Sequence, residues 1–167
     1  MELLDLMRER RSIRRYDSRP VEEEKLAKVL EAGRLAPSAR NLQEWKFVLV
    51  QGGLLPALCE ACNGQAMVRE APAALVVCAT ESHLMGCGQP SGTVNCSIAL
   101  SFMLLEAQEQ GLGMCWLGAF DAGKVKAALS LPEGWVPVAV SPLGYPAESP
   151  APRARKPMEE VAVRLGE

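Results

Sequence analysis

Apolar positions along the chain recur at two distinct periods. Over residues 2–9, Leu3, Leu6 and Met7 fall three and four apart with Leu4 beside them, the spacing of a helix face. A second stripe over 21–35 repeats Leu26, Val29 and Leu30 at the same spacing. Glu22, Glu23 and Glu24 occupy its first turn, where the helix dipole favours acids. Asp17-Ser18-Arg19-Pro20 is the turn that starts this helix, and Pro37 stops it. Short continuous apolar runs read instead as buried strands. They lie at 46–50, closed by Gln51-Gly52-Gly53, at 73–79 after Pro72, at 114–120 and at 135–143. Pro137 marks the start or an edge of the last one.

Between the first two strands, 54–67 reads as a helix. Residues 81–92 carry Gly86, Gly88, Pro90 and Gly92 and form the least regular stretch. Residues 94–110 are apolar around much of a helix circumference, with Ile98, Leu100, Phe102, Met103, Leu104 and Leu105. Such a helix belongs in the centre of the molecule or against another subunit. Gly111-Leu112-Gly113 ends it, Asp121 caps a helix running to Leu129, and Leu131-Pro132-Glu133-Gly134 turns the chain. Beyond Gly144 the tail holds Pro146, Pro150, Pro152 and Pro157, so it is extended and semi-rigid. Its two readings are an arm on a second subunit and a disordered end. Helices and strands interleave, which gives α+β or α/β with helices packed on a sheet of four or more strands. No repeat or composition break divides residues 1–167, so one domain is expected.

Composition narrows the class. Of 167 residues, 49% are apolar and 23% charged, which suits a globular chain with a proper core. The longest apolar run, near 71–79, contains Pro72 and is too short to span a bilayer. Residues 1–10 are charged and lack the apolar centre of a secretory signal. A cytoplasmic protein without membrane contact is expected, and its six cysteines then read as reduced thiols. A sequence pI of about 5.6 argues against nonspecific nucleic-acid binding by the whole surface.

One stretch departs from this average. Between Arg8 and Arg19 there are six arginines against Glu9 and Asp17, a local charge of +4 in a chain of net −2. A guanidinium fork fits phosphate at two points, and Ser12 adds a short donor among Arg10, Arg11, Arg14 and Arg15. The functional reading is a phosphate clamp; the plain one is a solvated basic end of the first helix. Other candidates carry less. Cys59-Glu60-Ala61-Cys62 is a C-x-x-C pair without thioredoxin-like context, and no second pair exists to close a zinc site. Cys78, Cys96 and Cys115 read as core residues, and Cys87 lies in the glycine-rich loop. His83, the only histidine, lies in that loop as a proton donor or as an ordinary solvated residue. No G-x-G-x-x-G opens a helix after a strand, so a Rossmann dinucleotide site is not expected.

Four segments in order resemble the FMN-dependent nitroreductase family, over nearly the whole chain. They are Arg10-Arg11-Ser12-Ile13-Arg14; Pro37-Ser38-Ala39-Arg40-Asn41-Leu42-Gln43-Glu44-Trp45; Gly111 through Phe120; and Gly144-Tyr145-Pro146-Ala147-Glu148 with Arg153, Arg155, Lys156 and Pro157. The resemblance implies an α+β nitroreductase-like fold, a central, mostly antiparallel sheet flanked by helices. Two subunits interlock, with FMN in each of two interface clefts. Arg10 and Ser12, with Arg11 between them, match the segment at the phosphate and ribityl chain, and Arg14 lies near the pyrimidine edge. Pro37, Ser38, Ala39 and Asn41 match the segment at the isoalloxazine ring, supplied by the partner subunit. Trp116, Leu117 and Gly118 match the strand end that faces the flavin, and Arg153 and Arg155 match a basic pair at the phosphate.

The implied activity is ping-pong transfer from NADH or NADPH through FMN to a small acceptor such as a nitroaromatic or quinone. No catalytic side chain and no metal is implied, because the redox chemistry belongs to the flavin. The chain departs from the family where proline usually precedes the tryptophan and Glu44 stands instead. It also carries Asn95 where an acid is common, and only 81–92 where larger relatives have substrate-covering helices. Two rival readings are a flavin-binding sensor or carrier with little turnover, and an RNA or DNA binder using the arginine stretch.

Overall fold

The computed structural model describes residues 2–166. Its organising strand is β2 (Ala73–Ala79), buried at all seven positions. β1 (Trp45–Gln51) pairs antiparallel on one side of it, β4 (Val136–Gly144) on the other, and the short β3 (Gly113–Met114) pairs antiparallel beyond β4. The order is β1-β2-β4-β3, with Leu49 opposite Leu75 and Val76 opposite Val140. Successive side chains of a strand point to opposite faces. Leu75 and Val77 therefore pack with Leu26 and Val29 of α2 (Glu23–Arg34) and with Leu100 and Met103 of α5 (Ser91–Glu109). Val76 and Cys78 pack on the other face with Leu58 of α3 (Leu55–Ala61), Val68 of α4 (Ala66–Glu70) and Val125 of α6 (Ala122–Leu129). Each fully buried Leu or Val contributes about 1.5–3 kcal/mol. Both faces are dry, which explains why the β2 sequence is a continuous apolar run rather than an alternating one.

α2 and α5 approach closely. Gly33 is where they meet: a Cβ there would press on the Met103 side chain and lie 3.1 Å from Phe47 Cε2. α5 lies in the centre of the molecule, as one of its two readings expects. Leu100 and Met103 are fully buried, while Phe102 is exposed and shares an outward apolar surface with Leu3 and Met7 of α1 (Leu3–Glu9) and with Leu35. The Asp121 carboxylate caps α6 by accepting from the Lys124 backbone N–H at 2.9 Å.

Three elements differ from the sequence reading. The helix expected over 54–67 is two helices, α3 and α4, because Asn63 (φ 57°) and Gly64 (φ 68°) both take left-handed backbone between them. The strand expected over 114–120 is only β3 and one further bridge, Leu117 to Val140. The third difference is the start of α5, which lies at Ser91 rather than at Val94 and absorbs the end of the glycine-rich loop. β4 runs as expected, and Pro137 lies where it opposes Cys78 at a register shift and β3 does not reach. Its missing N–H is harmless there. The tail is exposed from Ala151 onward and carries one short helix, α7 (Met158–Val161).

Candidate functional site

The arginine stretch is an extended arm held along both of its edges. On one edge Ser12 bridges Met114 of β3 in parallel, and the Ile13 N–H donates to the Met114 carbonyl at 3.1 Å. On the other edge the chain leaving β4 pairs with it. The Asp17 N–H donates to the Tyr145 carbonyl at 2.9 Å, and the Ala147 N–H donates to the Arg15 carbonyl at 2.9 Å. The Glu148 carboxylate accepts from the Arg14 backbone N–H at 2.5 Å. Ile13 and Tyr16 are the buried anchors, and the Tyr16 hydroxyl donates to the Ile13 carbonyl at 2.5 Å. Gly113 lets the arm lie this close, since a Cβ there would stand 2.6 Å from Ile13 Cγ1.

With its apolar residues turned inward, the arm presents its polar ones to a cavity of about 670 Å³. Arg10, Arg11, Ser12 and Arg14 line it together with Arg153 and Arg155 from the far end of the chain. A smaller cavity of about 370 Å³ shares Arg10 and Ser12 and is walled by Trp116, Leu104 and Leu105. Among the described residues no recorded ion pair involves Arg10, Arg14, Arg153 or Arg155. Burial, and then the neighbouring positive charges of Arg155 and Arg11, lower the Arg10 pKa. Crowded, uncompensated guanidinium groups of this kind favour a polyvalent anion between them. Arg11 is partly diverted: its Nη1 donates to the Arg8 carbonyl at 2.5 Å and the Arg10 carbonyl at 3.0 Å, closing the end of α1.

Pro37, Ser38, Ala39 and Asn41 line neither cavity. They belong to a separate segment between α2 and β1. Its backbone is unusual: Arg40 (φ 55°), Asn41 (φ 55°) and Gln43 (φ 54°) all occupy the left-handed region. Non-glycine residues held this way cost about 1–3 kcal/mol each and persist only where surroundings fix them. Here the Asn95 side chain accepts from the Ala39 N–H at 2.9 Å, and Ser38 Oγ accepts from the Gln43 N–H at 3.1 Å. Asn95 is 1% exposed and its Nδ2 has no partner. Leu117 is buried by its bridge to β4, while Gly118 is exposed outside both cavities.

The loop before α5 meets this segment through side chains that sequence reasoning left unconnected. His83 Nδ1 lies 3.0 Å from Ser91 Oγ and 3.7 Å from Glu44 Oε2, an otherwise unbonded buried oxygen. The sequence signals were the sole histidine and the charge at Glu44, but nothing in their spacing paired them. Glu148 was also missed as a contact, although it stands in the segment Gly144 to Glu148. The C-x-x-C thiols are buried rather than poised: burial pushes Cys62 up to about 11, and Cys59 Sγ lies 3.4 Å from the Gln65 carbonyl. Cys78 and Cys96 are core residues, pushed up to about 11 and about 12 by burial. Cys115 is buried as well, its thiol also pushed up by burial. Among the described residues no group of three or more His, Cys, Asp or Glu is arranged to hold a metal. No described helix is long and apolar enough to cross a membrane.

Comparison with known proteins places the chain in a family. The model of the Nitroreductase family matches residues 7–90 and 60–145. A Thermus thermophilus protein named NADH dehydrogenase is 37% identical over 187 residues, spanning 92% of this chain and 91% of its own. A Bacillus subtilis protein named FMN reductase [NAD(P)H] is 29% identical, over 96% of this chain and 72% of its own. The solved structure of an FMN-dependent nitroreductase from Clostridium difficile R20291 superposes with a TM-score of 0.83 at 27% identity, covering 98% and 99% of the two chains. By sequence and by fold, the chain belongs to the nitroreductase family.

Proposed function

We propose that this chain is an NAD(P)H oxidoreductase that works through bound FMN and passes reducing equivalents to nitroaromatics, quinones or other small acceptors. The observation that carries the reading is the single cavity lined by Arg10, Ser12 and Arg14 from one end of the chain and Arg153 and Arg155 from the other. Its donor set fits a phosphate dianion, and relatives bearing FMN reductase and FMN-dependent nitroreductase names point the same way. When bound, FMN supplies the electron transfer, accepting from the nicotinamide and donating to the acceptor in separate ping-pong half-reactions. The protein supplies position and field. Arg10, Arg153 and Arg155, with Arg11 beside them, would hold the phosphate, and Ser12 the ribityl chain. The Arg14 guanidinium would stand at the pyrimidine edge, where positive charge favours the more negative redox state and raises the potential. Trp116, Leu117 and Gly118 would face the ring.

The ring segment itself, Pro37, Ser38, Ala39 and Asn41, would come from a second copy, because in its own chain it lies outside the cavity. A homodimer supplies that copy. The outward apolar surface of Leu3, Leu4, Met7, Leu35 and Phe102 beside the cavity supports one. The cytoplasm suits a chain with six reduced thiols and a soluble nicotinamide donor.

The test is the absorption spectrum of the purified protein, followed by anaerobic titration with NADH and NADPH. A yellow protein bleached rapidly by either donor, and recoloured by a nitro compound or quinone, is the expected result. Slow bleaching would favour a flavin carrier, and a colourless protein that ignores added FMN would end the reading.

A further inference from the structure

We infer that Glu148 is a positioning residue for the flavin site: its carboxylate fixes the backbone of Arg14 and thereby aims the guanidinium assigned to the pyrimidine edge. The inference rests on the flavin reading above. Its basis is how the two chain segments separate. Tyr145, Pro146 and Ala147 pair with Asp17, Tyr16 and Arg15 in successive backbone rungs. The rung at Arg14 is made by a side chain instead, with Glu148 Oε1 accepting from the Arg14 N–H at 2.5 Å. The carboxylate therefore extends the ladder by one step while the main chain departs toward Arg153 and Arg155.

Two further observations set its role. A carboxylate beside a cavity built for an anion is electrostatically adverse unless its lone pairs are directed elsewhere. Among the described residues, no recorded ion pair joins Glu148 to any of the surrounding arginines. Among the described residues the one hydrogen bond of the Arg14 side chain is to the Ser12 carbonyl at 3.4 Å, so its guanidinium is left to a ligand while the backbone is held. A residue acting through Arg14 in this way sets both retention of the flavin and its potential.

Three variants separate the possibilities: Glu148→Gln keeps an acceptor oxygen at the same reach, Glu148→Asp keeps the charge but shortens the reach, and Glu148→Ala removes both. Each is reconstituted with FMN, and the dissociation constant and flavin reduction potential are measured. Alanine and aspartate should weaken FMN binding about tenfold, the loss of the hydrogen bond that fixes the Arg14 backbone, and move the potential negative. Glutamine should stay within about twofold of the parent with the potential unchanged. The inference is overturned if alanine matches the parent in both readings, or if glutamine behaves like alanine. Tighter FMN binding by glutamine would overturn it too, since the carboxylate would then be only an opposing charge. Failure of the parent chain to take FMN is a separate outcome, visible before any variant, and it ends the flavin reading itself.

Discussion

The two halves of the candidate site are held in opposite ways. The arginine arm is locked by backbone pairing on both edges, to β3 and to the chain leaving β4, and among the described residues Arg10 and Arg14 in it join no ion pair. The segment from Pro37 to Trp45 has almost no ladder. It is fixed by side chains, Asn95 on Ala39 and Ser38 on Gln43, against three left-handed residues. The lesson is that a charge-binding half and a shape-presenting half need different scaffolds. Electrostatic binding tolerates a stiff ribbon whose side chains swing, whereas a presented loop needs its main chain fixed in an unfavourable conformation.

The contrast breaks most severely at Gly113. Valine there would force Ile13 and the arm off β3, since the approach to Cγ1 is 2.6 Å. A loss of about 3 kcal/mol of stability in denaturant unfolding is expected, together with loss of FMN binding. Next comes the Arg10→Ala, Arg155→Ala double variant, which should weaken FMN about a hundredfold while leaving the fold's unfolding midpoint unchanged. An affinity within a few-fold of the parent would place the phosphate elsewhere.

Asn95→Ala acts on the other half. It removes the acceptor of the Ala39 N–H and should cost about 1–2 kcal/mol of stability. Asn95 lies outside the arginine cavity, so on the proposed function the reductive half-reaction should slow more than FMN affinity falls. Ser38→Ala, which removes only the bond from the Gln43 N–H, should cost about 0.5–1 kcal/mol.

The smallest effect is chemical. In the native protein a thiol reagent should modify Cys87 alone, because the other five cysteines are buried. Above pH 9 this changes. Cys62 and Cys78 stay protonated in the folded state up to about 11, against an ordinary 9.0. Their stabilising contribution is complete below that ordinary value and is lost as pH rises through the folded one. Unfolding midpoints should therefore fall between pH 9 and 11, and labelling of the buried thiols should rise in parallel.

Much of the scaffold was legible. The stripe of Leu26, Val29 and Leu30 gave α2, the apolar run at Ala73–Ala79 gave the central strand, and Asp121 marked the start of α6. Each rests on local physics of period, burial or capping. The break between α3 and α4 falls at Asn63-Gly64, a turn signal that the reading of 54–67 as one helix did not use. A strand after Gly113 was legible but its shortness was not, because β3 pairs only where β4 and the arm leave an edge to share. At the site, the density of arginines was visible, and so was the family resemblance. The left-handed backbone at Arg40 and Gln43 was not, because neither residue type favours it.

The sequence by itself determined where helices and strands begin to form and where positive charge gathers, because spacing and charge are properties of neighbours along the chain. Only the tertiary structure decided that Arg14 meets Glu148 and that His83 lies between Ser91 and Glu44. Those meetings depend on the registers of β1 and β4 against β2 and on the course of the chain after each. Register is set by the fit of whole faces rather than by any single residue.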